Sequence, residues 1–488
     1  MKPSSSVFTL DPLVTSRGTE QIVRGDRSLF PRLDKAFEGV KTIVGVGWGS
    51  QAPAQLPNLR DSFASIGSDT VVKVALRPES KKFGQVAAQG FSIAEGTLGT
   101  IGDLVPDADM VLLLINDGAQ TEHWEEIIGM MKPGATLGVS HGFLLGYLST
   151  TGQALRSDIN VILMAPKGMG DSVRRLYLQG ETTEGAGINS SVAVEQDVNG
   201  RAWDYAIGWA VGTGSPVTFF TTARDEYISD LSGERFMLLG GVWGLVEALY
   251  ERFVNTGYSD EQAFLLSTKG LTSTVARGIS EHGLLGFYKS LTASQQVNFA
   301  NGYETAYAPG VQVMEAIYSS VASGDEIREV VAATKELETT PMSKIEKSEM
   351  WKVAQDSDLY QVNVPMSDTL AFVAGMYTAG IMAGINTLLK HDHCVSEAIN
   401  EQLIEIIDSL LPYMDAEGLR SMVDGCSVTA RLGTRKWGPV AQKAFADALS
   451  RPAPEISVDS EFGEFLISPI HADVEACFAL RPSVKLRV

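Results

Sequence analysis

Two pairs of carboxylates stand out in this chain by type and spacing. Asp230 and Glu234 lie in Ser229-Asp-Leu-Ser-Gly-Glu-Arg235, and Glu401 and Glu405 in Asn400-Glu-Gln-Leu-Ile-Glu-Ile406. A spacing of i, i+4 puts both members of a pair on one helix face. Each pair interrupts an otherwise apolar helical stretch, where a carboxylate is costly unless it meets a cation. Four oxygen donors from two helices suit a hard divalent ion such as Mg²⁺. Taken singly, either pair reads as ordinary solvent-facing charge. A nucleotide-binding signature earlier in the chain tips the balance toward metal.

That signature follows the run Thr42-Ile-Val-Gly-Val46, which leads straight into Gly47-Trp-Gly-Ser-Gln-Ala52. It matches the G-x-G-x-x-G/A fingerprint: Gly47 for the tight turn, Gly49 for close approach of a pyrophosphate, Ala52 for helix–strand packing. The second strand ends in Leu76-Arg-Pro-Glu-Ser-Lys-Lys82. Arg77, Ser80 and Lys82 can surround a 2′-phosphate, which favours NADP over NAD; Glu79 dissents, and a solvated loop is the alternative.

His141, in Ser140-His-Gly-Phe143, and Lys167, in Ala165-Pro-Lys-Gly-Met-Gly170, each follow a strand. Such strand ends form the ligand-binding edge of open α/β sheets, although a lone histidine is as often structural. His391-Asp-His-Cys394 has zinc-like residues but no second ligand group at suitable spacing, so it reads as a turn between helices. Ser427, in Gly425-Cys-Ser-Val-Thr-Ala430, lacks the G-x-S-x-G context of a hydrolase nucleophile.

The scaffold follows from patterning. Short β-branched runs alternate with helical or turn segments from Lys41 to about Thr222, as in a parallel sheet covered on both faces. After about Asp225 the strand signals stop and helices of roughly 10 to 25 residues follow. The expected organisation is an arm over 1-40, an α/β Rossmann-type domain over 41-224, and an all-α region in two repeats, 225-360 and 361-488. The repeat rests on Gly244-Leu-Val-Glu-Ala-Leu-Tyr250 with Ser259-Asp-Glu-Gln-Ala263, against Gly380-Ile-Met-Ala-Gly-Ile-Asn386 with Ser396-Glu-Ala398. Aligned on the alanines, Leu266 and Gly270 fall where Glu401 and Glu405 stand.

With 488 residues, two or three domains are expected, and 44% hydrophobic content is ample for large cores. A net charge of -20 argues against nucleic acid, which needs a basic face. Three scattered cysteines imply no disulfide framework and a reducing compartment. Met1 to Asp11 lacks the basic start and apolar core of a secretory signal. Thr369 to Leu389 is uncharged and long enough to span a bilayer, yet its Thr, Tyr and Asn fit a helix buried all round in a soluble protein.

Read together, these residues resemble ketol-acid reductoisomerase, the second enzyme of branched-chain amino-acid synthesis, in its long plant-type form. The resemblance runs from Ile22-Val-Arg-Gly25 to Leu480-Arg-Pro-Ser-Val484. Besides the carboxylate pairs it is carried by Gly47-Trp-Gly-Ser-Gln-Ala-Pro-Ala54, Ser140-His-Gly-Phe-Leu-Leu-Gly146, Ala165-Pro-Lys-Gly-Met-Gly170, Val173-Arg-Arg-Leu-Tyr177, Gly185-Ala-Gly-Ile-Asn-Ser190 and Cys426-Ser-Val-Thr-Ala-Arg-Leu-Gly433.

The resemblance implies two Mg²⁺ ions held by Asp230, which bridges them, with Glu234, Glu401 and Glu405, some through water. It makes His141 and Lys167 active-site residues, with Glu405 handling protons near Lys167, and Ser427 a substrate binder. Gly47, Gly49, Ser50, Gln51, Arg77, Ser80, Lys82 and Gln120 match NADPH contacts; Lys82 departs from the hydroxyl residue expected in plant relatives. It also implies a duplicated, knotted helical domain and a homodimer without nucleic-acid or membrane partners. The compartment would be a plastid stroma in a photosynthetic eukaryote and cytoplasm otherwise.

The implied reaction moves an alkyl group between adjacent carbons of a 2-aceto-2-hydroxy acid, 2-acetolactate or 2-aceto-2-hydroxybutyrate. Hydride transfer then gives a 2,3-dihydroxy-3-methyl acid. The active site is expected between the domains. Two rivals remain: a metal-free NADP-dependent β-hydroxy-acid dehydrogenase, and an NADP-binding sensor without turnover. Neither would oxidise NADPH with acetolactate in a Mg²⁺-dependent manner.

Overall fold

The computed structural model describes residues 2–337, 339–345, 348–452 and 455–481. Part of the motif expected at the carboxyl end, from Pro482 to Val484, lies outside them. The chain divides into two units: one holds Thr19–Tyr227 with residues before Val14, the other Ile228–Phe478 with Val14–Gly18.

Among the described residues ten strands form one sheet: β1 (Asp11–Thr15), β2 (Gly18–Arg24), β3 (Thr42–Val46), β4 (Val71–Leu76), β5 (Leu98–Thr100), β6 (Met110–Leu113), β7 (Thr136–Val139), β8 (Asn160–Pro166), β9 (Ser190–Gln196) and β10 (Val217–Phe220). Their order is β1-β2-β10-β9-β8-β7-β6-β3-β4-β5. From β5 to β8 all neighbours run parallel, and the order reverses between β3 and β6, the switch point of a dinucleotide-binding sheet. Helices α1 (Ala52–Ser65), α2 (Asp117–Met130) and α3 (Ala202–Thr213) help cover it. Leu56, Leu59, Phe63 and Trp209 pack into one core, and Ile127, Ile128, Leu144 and Leu148 into another. This is why the central strands read as continuous apolar runs.

The sheet is mixed, a correction to the parallel one expected. β9 runs antiparallel to β8, from Val161 opposite Gln196 to Pro166 opposite Ser190. The supposed arm supplies β1 and β2, and β2 runs antiparallel to β10. These strands begin or end in polar residues, so they lack the continuous apolar run that marks a strand buried on both faces.

The unit boundary falls within α4 (Ala223–Arg235), after Tyr227. Beyond it the described chain is helical: α5 (Gly240–Asn255), α6 (Asp260–Phe264), α7 (Ala293–Ala322), α8 (Asp325–Glu336), α9 (Asp368–Lys390), α10 (Val395–Ile399) and α11 (Val428–Leu449) are the elements that matter below. At 30 residues α7 exceeds the expected length.

The repeat is visible in the backbone. After α6 come π-helical turns at Leu265–Lys269 and Leu271–Val275; after α10 they come at Asn400–Ile404 and Ile406–Leu410. Element starts keep one constant interval: 260 and 395, 265 and 400, 271 and 406, then 293 and 428. Ala263 and Ala398 stand at that interval too. Equivalent caps, Thr292 and Ser427, each accept a backbone N–H three residues on, from Gln295 and Ala430.

The long helices then exchange partners: α5 of the first repeat packs on α11 of the second, and α7 of the first on α9 of the second. Each crossing passes through glycine, because only a missing Cβ lets backbones approach this closely. A Cβ on Gly244 would fall 2.6 Å from the Gly438 carbonyl oxygen, and one on Gly302 would strike the Phe372 carbonyl.

Helix α9 is long and apolar enough to cross a membrane, yet 89% of its most apolar window is buried within the protein. Asn386 donates to the Tyr307 hydroxyl at 2.7 Å, while the Tyr377 hydroxyl has no hydrogen-bond partner among the described residues. His391 and Asp392 begin the turn that follows, Asp392 with φ of 65°, and His393 is buried between Tyr318 (3.1 Å) and Glu397 (3.3 Å).

Candidate active site

At the end of β3, Gly47 adopts φ of 94° and donates to the Ala75 carbonyl at 2.9 Å. A Cβ there would strike Ile115, and one on Gly49 would come 2.7 Å from the Leu114 carbonyl oxygen, so both positions require glycine. Gln51 donates from Nε2 to the Gly168 carbonyl at 2.9 Å, tying this turn to the loop that carries Lys167. Gln120 is buried; its Nε2 donates to Ile115, and its Oε1 has no hydrogen-bond partner among the described residues. At the end of β4, Lys82 reaches back from Nζ to the Trp48 carbonyl at 2.5 Å, and Ser80 Oγ accepts from Lys82 N–H at 3.3 Å. Arg77 is exposed, and Glu79 lies 3.4 Å from its Nε.

Sequence reasoning missed Glu226. Its fully buried carboxylate accepts from Gly142 N–H at 2.7 Å with one oxygen and lies 3.4 Å from Lys167 Nζ with the other. His141 and Glu226 offer ligand atoms within 4.8 Å of one another, and His141 Nδ1 is 3.8 Å from Asp117 Oδ1. Glu226 thus organises both sheet-edge residues picked out above. Its signal was present: Glu226, Asp230 and Glu234 recur every fourth residue along α4.

In the helical unit, Gly233 lies between Asp230 and Glu234 in sequence, and a Cβ on it would fall 3.1 Å from Glu401 Oε1 and 3.0 Å from Gln402 Nε2. That near-contact brings the second carboxylate pair to the helix bearing the first. Glu401 and Glu405 are both buried; Glu401 sits on the first π-helical turn of the second repeat, and Glu405 is the residue between the two turns. Such turns reorient side chains and occur often at functional sites.

Burial first, then the negative fields of Glu234, Glu405 and Asp230, push the Cys426 thiol, next to Ser427, upward. Ser427 Oγ caps α11 by accepting from Ala430 N–H at 3.0 Å, which leaves its own O–H to donate. In the first repeat the space is closed: a Cβ at Gly270 would fall 2.7 Å from Leu370 Cδ1.

Two family models match the chain. Residues 38–218 match the model of the acetohydroxy acid isomeroreductase NADPH-binding domain, and 224–359 that of the ketol-acid reductoisomerase C-terminal domain. The chloroplastic ketol-acid reductoisomerase of Spinacia oleracea is 46% identical over 99% of this chain and 83% of its own length. The chain belongs to the ketol-acid reductoisomerase family. The chloroplastic reductoisomerase of Pisum sativum is 43% identical over 99% of this chain and 85% of its length. The Desulfosudis oleivorans relative, 33% identical over 66% of this chain and 90% of its own, is named ketol-acid reductoisomerase (NAD(+)).

An NADH-preferring reductoisomerase structure from an uncultured archaeon shares the fold, with a TM-score of 0.51 at 24% identity over 61% of this chain and 87% of that one. The family's enzymes are oxidoreductases with an isomerase step, in branched-chain amino-acid biosynthesis. Its C-terminal domain model matches this reductoisomerase chain as far as residue 359.

Proposed function

We propose that this chain is a plastid enzyme, working as a homodimer. It converts 2-acetolactate and 2-aceto-2-hydroxybutyrate to 2,3-dihydroxy-3-methyl acids with NADPH and two Mg²⁺ ions. The observation that carries the metal assignment is the approach of Glu401 to Gly233, between Asp230 and Glu234. A donor set made only of carboxylates suits Mg²⁺ rather than a softer ion. The glycines at 47 and 49, the carboxamide of Gln120 and the cations at the end of β4 support a dinucleotide carrying a 2′-phosphate. When bound, the ions supply positive charge for developing oxyanions and NADPH supplies the hydride.

The remaining work falls to the chain's own residues. Asp230, Glu234, Glu401 and Glu405 would hold the ions, and the Glu405 carboxylate would also take up and return a proton. Lys167, positioned by its ion pair with Glu226, presents its amine to substrate oxygen, and His141 adds a polar contact at the same sheet edge. Ser427 donates its hydroxyl to the substrate carboxylate. Gln51, Ser50 and Gln120 position the cofactor, and Arg77, Ser80 and Lys82 bind its 2′-phosphate.

The test is cofactor oxidation by the full-length protein with 2-acetolactate, with and without Mg²⁺. Turnover that needs substrate and metal together is expected, faster with NADPH than NADH. Because one relative is named for NAD⁺, the cofactor must be measured rather than inherited. Undiminished turnover in a chelator would refute the metal assignment.

A further inference from the structure

Arg235 follows the proposed metal ligand Glu234, and its Nη1 lies 3.5 Å from Glu234 Oε2. A permanent cation beside a carboxylate that must bind a cation opposes metal binding. Arg235 is also fully buried, so its charge is weakly screened by water.

The protein answers with Glu326, near the start of α8 and 1% exposed. Its Oε2 accepts from Arg235 Nε at 2.7 Å. Its Oε1 takes Lys436 Nζ at 2.5 Å, Trp437 Nε1 at 2.8 Å and Ser320 Oγ at 3.1 Å. Gly433 of α11 makes room for the guanidinium: a Cβ there would fall 2.8 Å from Arg235 Cζ. Burial alone would raise the Glu326 carboxyl, but Arg235, with Lys436 and Trp437, outweighs it and holds the group at about 2. The carboxylate therefore stays ionised wherever the enzyme works. Arg235 Nη2 makes no hydrogen bond among the described residues, so the guanidinium has a donor in reserve.

We propose that Glu326 sets the Mg²⁺ affinity of Glu234 by neutralising the charge of Arg235 beside it. This rests on the reading of Glu234 as a metal ligand. Glu326 is a positioning residue: it touches neither substrate nor metal and acts through Arg235. Lys436 opposes it by drawing on the same carboxylate from the other side. Removing Glu326 and removing Lys436 should shift Mg²⁺ binding in opposite directions.

The test is Mg²⁺ titration of the full-length protein by calorimetry, with NADPH binding followed in parallel. Glu326→Gln is expected to weaken Mg²⁺ about tenfold, the effect of one unneutralised buried charge at this range, with NADPH affinity unchanged. Lys436→Met is expected to tighten Mg²⁺ about twofold. Its side chain is 37% exposed, so this variant decides the question if Glu326→Gln does not fold. Adding Arg235→Met to Glu326→Gln is expected to restore Mg²⁺ affinity.

Unchanged Mg²⁺ affinity in Glu326→Gln, or in Lys436→Met if only that variant folds, would overturn the proposal. So would a double variant as weak as Glu326→Gln. Glu234→Gln separates the two readings: if it leaves Mg²⁺ binding intact, the metal assignment itself fails.

Discussion

The Lys167 ammonium lies 3.4 Å from the Glu226 carboxylate, with the two side chains 1% and 0% exposed. Taking two such charges out of water is costly, and removing one partner strands the other, at about 3–5 kcal/mol. Glu226→Gln should lower the unfolding free energy by about that much. It should also cut kcat roughly a hundredfold, as expected when a reacting-site residue loses the partner that positions it. Denaturant melts and steady-state kinetics on one preparation check both; a variant as stable and active as the parent contradicts them.

Asp230→Asn keeps the size of the side chain and removes the charge proposed to lie between two ions. The alkyl shift should fall by at least about a thousandfold, since the metal's charge stabilisation is worth several kcal/mol. Cofactor binding should persist, because the glycine turn proposed to hold it belongs to the other unit. Fluorescence titration with NADPH and an isomerase assay separate the two effects.

Arg77 is exposed and lies 3.4 Å from Glu79. Arg77→Ala should raise the KM for NADPH by about tenfold and leave that for NADH nearly unchanged, as loss of a phosphate contact predicts. Equal losses with both cofactors would show that the residue supports the loop and does not read the phosphate.

Gly233→Ala places a methyl group 3.1 Å from Glu401 Oε1. It should raise the Mg²⁺ concentration for half activity by about tenfold, since misplaced ligands lose affinity steeply. Gly270→Ala, at the matching position of Glu405 in the other repeat, crowds Leu370 and should cost stability alone. Metal titration and thermal melting on both variants distinguish the outcomes.

Acid should act through Glu326, whose folded-state value of about 2 lies below the ordinary 4.5. A depressed carboxyl contributes stability that is complete above 4.5 and lost as pH falls toward 2, about 3 kcal/mol for this interval. The melting temperature should fall over that window, and less steeply in Glu326→Gln. Parallel profiles in parent and variant would rule this carboxyl out as a contributor.

The central strands were legible because burial on both faces leaves continuous apolar runs, and Thr42–Val46 is an example. β9 was not, since Ser190 at its start and Gln196 at its end break the run. The carboxylate pairs were legible by spacing. Glu226 carries the same spacing, but it was overlooked because its partners, Gly142 N–H and Lys167, come from distant loops that no local pattern reports. Glu326 was invisible for a related reason: on an exposed-looking start of α8, only the fold reveals the buried Arg235 it meets.

The exchange of long helices between the two repeats also constrains how the chain comes off the ribosome. α5 is made long before α11, the helix it packs on, and α7 is made before α9. The first repeat therefore cannot close its own interior, and its glycine-lined faces wait in water for nearly the whole of the second repeat to be translated. Native contacts here are far apart in sequence, which makes folding slow and leaves partly built chains open to aggregation. Synthesis of α11, rather than completion of the first repeat, becomes the event that commits this unit to its native state.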